Sequence, residues 1–146
     1  MRIVLDTNVA LSALLWPGTP YRLLESIRTR SEVQLFSSPV LLAELVDVLG
    51  RPSPAKKLAA IGRSAREILA DYVEIIEVVE PEQVPRTVPT DADDDHVIAA
   101  AVLAGADAIV SGDSDLLRMR RHEGIDIISA AIALDMLAGL GTPIIT

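Results

Sequence analysis

At 146 residues the chain is long enough for a single domain with a sizeable core, residues 1–146 forming one unit. Half of its residues are hydrophobic but only one Trp, two Tyr and one Phe are present, so Leu, Ile, Val and Ala must build that core. The absence of cysteine excludes disulfides, thiolate metal sites and cysteine nucleophiles, and a formal net charge of −8 argues against general electrostatic attraction to nucleic acid. The longest apolar stretches are too short to span a bilayer, and Asp6 cuts the first apolar run too early for a signal peptide. A cytoplasmic protein is expected.

In chain order, Arg2 to Leu5 reads as a short buried strand from its continuous apolar run. Asp6-Thr7-Asn8 supplies cap-type residues for a helix through about Leu15, which Pro17-Gly18 terminates. Thr19-Pro20 is a cap followed by proline at the first helical position, and starts a second helix with Leu23, Leu24 and Ile27 inward. Val33 to Phe36 is a second strand, followed by Ser38-Pro39 and a helix from Val40 to Leu49 that Gly50 ends. Ser53-Pro54 and Ser64 read as two further helix starts, with Glu67 completing a capping box after Ser64. Ile75 to Val79 is a third strand, and Glu80 to Thr90, with Pro81, Pro85 and Pro89, a loop. Asp91 or Asp93 caps a helix reaching Ala104, with Gly105 at its terminus. Ala108 to Ser111 is a fourth strand, Asp113 to about Arg120 a short helix, Asp126 to Ile128 a fifth strand and Ser129 to Leu140 a last helix.

Strands alternating with helices indicate an α/β domain with a mostly parallel sheet of about five strands, covered on both faces. Ligands of such sheets bind beyond the carboxyl ends of the strands, where strand order reverses. Four acids fall where apolar elements give out: Asp6 after Ile3-Val4-Leu5, Asp113 after Ala108 to Gly112, Asp95 before Val97 to Ala104, and Glu44 between Leu41, Leu45 and Val48. All four can reach one rim.

Carboxylates are rarely buried without a partner. Glu44 shares its helix side with Leu41, Leu45 and Val48, whereas Asp47 lies on the polar flank. Asp6 can serve as a helix cap alone. Asp93-Asp94-Asp95 is harder to explain that way, because three adjacent like charges repel and a helix dipole offsets only about 0.3–1 kcal/mol each. Of Asp113 and Asp115, Asp115 is expected to be the one that merely caps the short helix. Oxygen-only ligands, with His96 and His122 single and far apart, suit a hard cation such as Mg²⁺ or Mn²⁺. Such an ion activates water and stabilises the leaving oxygen of a phosphodiester. Two stretches are basic: Arg51, Lys56, Lys57, Arg63 and Arg66, the densest and the expected nucleic-acid-binding segment, and Arg118, Arg120, Arg121 with His122.

Together, Ile3-Val4-Leu5-Asp6-Thr7-Asn8-Val9, the Glu44 helix after Ser38-Pro39, the run Asp91 to Ala101 and the segment Gly105 to Leu116 resemble PIN-domain proteins, above all the VapC-like toxin components of toxin–antitoxin pairs. The resemblance covers nearly the whole chain and implies a three-layer α/β/α domain. It also implies an acidic quartet of metal-binding and catalytic residues at Asp6, Glu44, Asp95 and Asp113, with Asp94 the alternative to Asp95 and Asp115 a supplementary acid. Asn8 and Ser111 would be polar supports. The implied protein is a Mg²⁺- or Mn²⁺-dependent endoribonuclease, a homodimer held inactive by an antitoxin.

Other classes fit less well. A receiver domain would want a lysine after a late strand, but the only lysines are Lys56 and Lys57. A haloacid-dehalogenase-type phosphatase would want Asp-x-Asp after the first strand, where Asn8 stands instead. The stronger rival is a catalytically silent PIN-like module acting through protein or RNA binding.

Overall fold

The apolar runs that are too hydrophobic to face water on either side line up as the central strands of one sheet. The structure is a computed structural model that describes residues 1–88 and 92–140, with Ala92 and Asp93 described in their backbone only. In chain order the elements are β1 (Arg2–Leu5), α1 (Thr7–Leu15), α2 (Thr19–Arg28), β2 (Gln34–Ser37), α3 (Pro39–Leu49), α4 (Pro52–Ile61), α5 (Ala65–Val73) and β3 (Ile76–Val78). They continue with α6 (Ala92–Ala104), β4 (Ala108–Val110), α7 (Ser114–Met119), β5 (Arg121–His122), β6 (Ile125–Ile128) and α8 (Ala130–Ala138).

The sheet has six strands in the order β3-β2-β1-β4-β6-β5. Every pairing is parallel except that of β5 with β6. The sixth strand beyond the expected five is β5, two residues of the basic segment Arg121–His122 that fold back on β6 through Glu123-Gly124. Glu123 and Gly124 both have positive φ, at 47° and 81°, the backbone a tight hairpin needs. No apolar alternation marks so short a strand.

Side chains alternate across the sheet as strand pleating requires. Ile3 and Leu5 point into one apolar cluster with Val9, Leu23, Leu24, Leu45 and Leu137. Val4, Phe36 and Ile109 point into the other with Leu41, Val97, Ala100 and Ala101. The sheet is thus the middle of three layers, with α1, α2 and α8 packed on one side and α6 on the other.

The helix starts follow their capping chemistry with two shifts. Ser38, Ser64 and Ser129 cap α3, α5 and α8 through their hydroxyls, and Ser64 with Glu67 forms the expected capping box. At α2, however, Gly18 holds the cap position and Thr19 is already helical. At α4, Arg51 is the cap and Pro52, not Pro54, opens the helix. The expected cap at Asp91 lies outside the described residues, and Asp93 is within α6.

The end of α6 fixes where its beginning falls. Ala106 N–H donates to the Ala101 carbonyl (2.9 Å) and Gly105 N–H to the Val102 carbonyl (3.1 Å), with Gly105 at φ 62°. This is the paired closure of a Schellman turn, which glycine adopts without strain. Arg2 then ties the turn to β1: its Nε donates to the Ala104 carbonyl at 2.7 Å, its guanidinium lies 4.4 Å above the Phe36 ring, and its backbone N–H donates to Asp107. From Ala104 back to Asp94 the helix rises about 15 Å, and from Arg2 to Asp6 the strand rises about 13 Å. The acidic start of α6 therefore comes level with the carboxyl end of β1.

Candidate active site

The strand order reverses between β1 and β4, since the chain builds outward from β1 through β2 and β3 and then returns to β1's other side. Leu5 lies opposite Val110, and the N–H of Asp6 donates to the Val110 carbonyl at 2.9 Å, so the pairing runs one residue past the assigned strand. Asp6 and Ser111 thus leave the sheet side by side at the switch point, the expected position of a ligand.

Asp6 is buried and both its oxygens are used. Oδ1 accepts from the Thr7 N–H at 2.8 Å, which starts α1, and Oδ2 accepts from the Ser111 hydroxyl at 2.7 Å. Capping and site roles therefore coexist on one carboxylate. Ser111, 1% exposed, in turn accepts the Asp113 N–H at 2.9 Å. The hydroxyl is one bridge between two acids: its single proton goes to Asp6, and its lone pair fixes the backbone of Asp113. Asp113, not Asp115, caps α7, its Oδ1 accepting the Asp115 N–H at 2.7 Å. The expectation for these two is reversed, because the turn at Gly112 delivers Asp113 to the position directly before the helix. Asp115 is the second residue of the helix, within its first turn, and lies 3.6 Å from Arg118.

Glu44 is half-buried on α3. Phe36 pairs with Val4, so Ser38 leaves the sheet at the level of Asp6, and Glu44 lies six residues, about 9 Å, further along the helix. Helical side chains tilt towards the amino end, which here is the rim, and a Glu reaches further than an Asp. Asn8 is exposed on the first turn of α1. Together with Ser12, Thr19, Ser111, Gly112 and Ser129 it lines an open groove of about 370 Å³ beside the Asp6–Ser111 bridge.

The two acids of α6 differ. Both are buried, Asp94 at 5% and Asp95 at 1% exposure. Asp95 Oδ1 accepts the N–H groups of Thr87 (2.8 Å) and Val88 (2.7 Å), and Oδ2 lies 2.7 Å from Arg86 Nε, close enough for an ion pair but off the angle of a good hydrogen bond. Burial works to raise the Asp95 pKa, yet the Val88 and Thr87 N–H groups and the Arg86 guanidinium outweigh it and hold it below the ordinary Asp value. The main-chain bonds matter most: hydrogen bonds to a charged group contribute about 1.5–3 kcal/mol each, whereas an ion pair to a largely exposed Arg contributes about 0–1 kcal/mol. Arg86 is the participant that the sequence did not reveal. It stands in a proline-rich loop with no spacing that relates it to Asp95.

Asp6 and Asp113 are therefore brought together, while Asp95 is turned to its own loop. Among the described residues no three carboxylate or histidine side chains gather closely enough to form a metal cage by themselves. The donors that Asp6 and Asp113 bring to the rim are carboxylate oxygens, a chemistry that suits a hard divalent cation.

Of the expected RNA-binding residues, the structure pairs two with acids. Arg51 lies 3.4 Å from Asp47, and Arg63 lies 2.8 Å from Asp71 and 3.5 Å from Glu67. Those carboxylates hold the Arg63 pKa above its ordinary value, hydrogen bonding by Asp71 being the largest cause. Lys56 and Arg66 are exposed, Lys57 half-buried.

The PIN-domain model matches residues 2–115, and the chain belongs to the PIN-domain family. Among solved structures it is similar to a chain in the crystal structure of VapBC2 from Rickettsia felis bound to a DNA fragment from their promoter, with a TM-score of 0.61 and 15% identity over 87% of this chain and 97% of that one. A comparison with curated proteins finds no match.

Replacing Ser111 by Ala removes the donor to Asp6 and the acceptor of the Asp113 N–H together. Urea denaturation should show a loss of about 1–3 kcal/mol, as expected when buried polar partners are stranded. A change under about 0.5 kcal/mol would mean the bridge does not hold the two strand ends.

Proposed function

We propose that the chain is a metal-dependent endoribonuclease and the toxin component of a toxin–antitoxin pair. The observation that carries the reading is the Asp6–Ser111–Asp113 bridge at the reversal of strand order, two carboxylates held at adjoining strand ends. Membership of the PIN-domain family supports nuclease chemistry, and the likeness to the VapBC2 structure supports a toxin of this type.

In this reading Asp6, Glu44, Asp113 and one acid of α6 hold Mg²⁺ or Mn²⁺. When bound, the ion supplies an activated water and charge stabilisation at a phosphodiester. The chain's own residues do the positioning. Ser111 keeps Asp6 in one rotamer and sets the backbone that presents Asp113. Asn8, at the amino end of α1, offers an amide that can donate to a phosphate oxygen beside the acids. The groove of Asn8, Ser12 and Thr19 leads substrate to the rim. Asp6→Asn should retain the fold by circular dichroism yet lose Mg²⁺-dependent cleavage of RNA by at least about 10²-fold. A variant as fast as the parent would leave the silent PIN-like module as the better reading.

The positive charge for RNA reduces to Lys56, Lys57 and Arg66, since Arg51 and Arg63 are committed to Asp47, Glu67 and Asp71. Changing Lys56, Lys57 and Arg66 together to Ala should weaken RNA binding and flatten its dependence on salt, by about 0.7 in log–log slope for each single-strand phosphate no longer neutralised. An unaltered slope would move the role to Arg118, Arg120 and Arg121.

Self-association and an antitoxin complete the proposal. Val40 and Val46 on α3 are about half exposed, at 47% and 50%, and on α8 and just beyond it so are Ile132 (52%) and Leu140 (51%), with Met136 at 38%. Apolar surface of this kind marks interfaces, and a two-fold homodimer is the commonest closed assembly. Sedimentation at micromolar concentration should give a dimer, and a clean monomer would refute it; co-expression with a neighbouring small antitoxin gene should yield a complex.

A further inference from the structure

We propose that Arg120 is a substrate-binding residue whose guanidinium holds a phosphate of the RNA strand beyond the one cleaved, and that the strained backbone beneath it is retained for that contact. The inference rests on the ribonuclease reading proposed above and names a contact of its substrate outside the acidic rim.

Arg120 stands where the backbone disfavours a side chain. Among the described residues positive φ occurs at Gly18, Gly62, Gly105 and Gly124, and at two residues that are not glycine, Arg120 and Glu123. Gly62 and Gly105 close α4 and α6, the usual place for glycine after a helix. Arg120 closes α7 in the same way, at φ 62° and ψ −40°. That conformation lies outside the small left-handed basin and close to the strained γ-turn, so a Cβ there is costly. Hydrogen bonds fix it from both sides: the Arg120 N–H donates to the Leu117 carbonyl at 3.2 Å, and the Arg120 carbonyl accepts the Ile127 N–H at 2.9 Å. Glycine would meet this requirement without strain. What glycine cannot supply is the charge.

The neighbouring charges are answered locally and that of Arg120 is not. Glu123 lies 3.4 Å from His122, Arg118 lies 3.6 Å from Asp115, and Arg121 lies 3.2 Å from Asp126. Arg120 is exposed and, among the described residues, pairs with no acid. A cation kept uncompensated at a strained position suits an anion that arrives from outside, and a guanidinium matches the oxygens of a phosphate.

Its place relates it to the substrate. Asp113 caps α7 and Arg120 ends it, about 10 Å further along the helix, which suits a neighbouring phosphate and not the one at the acids. Between them Leu117 lines the groove shared with Asn8, Ser111 and Ser129. A strand that lies in this groove and leaves it over Leu117 passes Arg120. Lys56, Lys57 and Arg66 belong to α4 and α5, between β2 and β3, whereas Arg120 adjoins β6 and β5 at the opposite end of the sheet. The two sets of cations flank the switch point, and the strand is held on both sides of the acids.

The test compares Arg120→Gly and Arg120→Lys with the parent, using a short fluorescein-labelled single-stranded RNA of mixed sequence. Arg120→Gly should melt about 2–4 °C above the parent, because the strain leaves with the Cβ. It should nevertheless bind the RNA in Ca²⁺ at least about fivefold more weakly and lose about 0.7 from the log–log salt slope, the share of one single-strand phosphate. In Mn²⁺-dependent cleavage KM should rise by a similar factor with kcat within about twofold of the parent, as for a contact made equally in ground and transition states. Arg120→Lys, which keeps both charge and Cβ, should keep the salt slope and melt with the parent. A higher melting temperature without loss of RNA binding would overturn the contact, and weaker binding without the higher melting temperature would overturn the retained strain. A fall in kcat at unchanged KM would assign Arg120 to the cleavage step and overturn the proposal as well. A parent that neither binds nor cleaves RNA would remove the ribonuclease reading and this inference with it, whereas a parent that cleaves, with Arg120→Gly indistinguishable from it, would remove the inference alone.

Discussion

The parallel register of β1 against β4 is the constraint from which the site follows. With Leu5 opposite Val110, and the Asp6 N–H carrying the ladder one residue further, the two strands stop at the same height. Ser111 is held from its other side as well, its N–H donating to the Ile128 carbonyl of β6 at 3.0 Å. A slip of one residue would exchange the faces of every side chain: Ile3 and Leu5 would leave their cluster and Val4 would enter it. Core packing therefore fixes, at no separate cost, the distance at which Asp6 and Ser111 meet.

That arrangement places two acids near one another before any cation is present, and the repulsion has to be met by local dipoles. The Thr7 N–H and the Ser111 hydroxyl serve Asp6, and the Asp115 N–H serves Asp113. Each is a donor at the start of a helix or strand end, where backbone N–H groups lack intrahelical partners. The same donors that start α1 and α7 stabilise the charges, so the acids sit where the fold has unused hydrogen-bonding capacity. Glu44 and the acids of α6 come from the neighbouring helices, whose amino ends point to the rim because each helix runs antiparallel to the strand beside it.

Strong local chemistry was legible in the sequence and weak or distant chemistry was not. The continuous run Ile3-Val4-Leu5, the Ser38-Pro39 start and the Ser64–Glu67 box each announce an element through residues a few positions apart. The hairpin strand Arg121–His122 has no such signature, because its conformation is imposed by pairing with Ile125 and Asp126. The choice between Asp113 and Asp115 as cap turned on how sharply the chain bends at Gly112, which composition cannot specify. Hardest of all was the register within Asp93-Asp94-Asp95. Adjacent positions differ by about 100° on a helix, so an uncertainty of one residue decides between the sheet face and the loop face. The partners that Asp95 meets, Thr87, Val88 and Arg86, stand in a loop that no sequence spacing relates to it.

A chain with a net charge of −8 has still to meet a polyanion if it cleaves RNA. At physiological ionic strength the Debye length is about 8 Å, so the total charge is screened over the width of the domain and only nearby groups are felt. Pairing removes much of the apparent basic patch: Arg51 and Arg63 each lie beside an acid on their own or the neighbouring turn, and Arg121 lies 3.2 Å from Asp126. Such exposed pairs contribute little to stability, but they cancel charge that a phosphate would otherwise meet. What is left of the segment from Arg51 to Arg66 is short-ranged, the cations Lys56 and Lys57 on α4 and Arg66 on α5. Contacts of that kind act only at short range, so any polyanion the chain meets is held by local fit and not by long-range attraction.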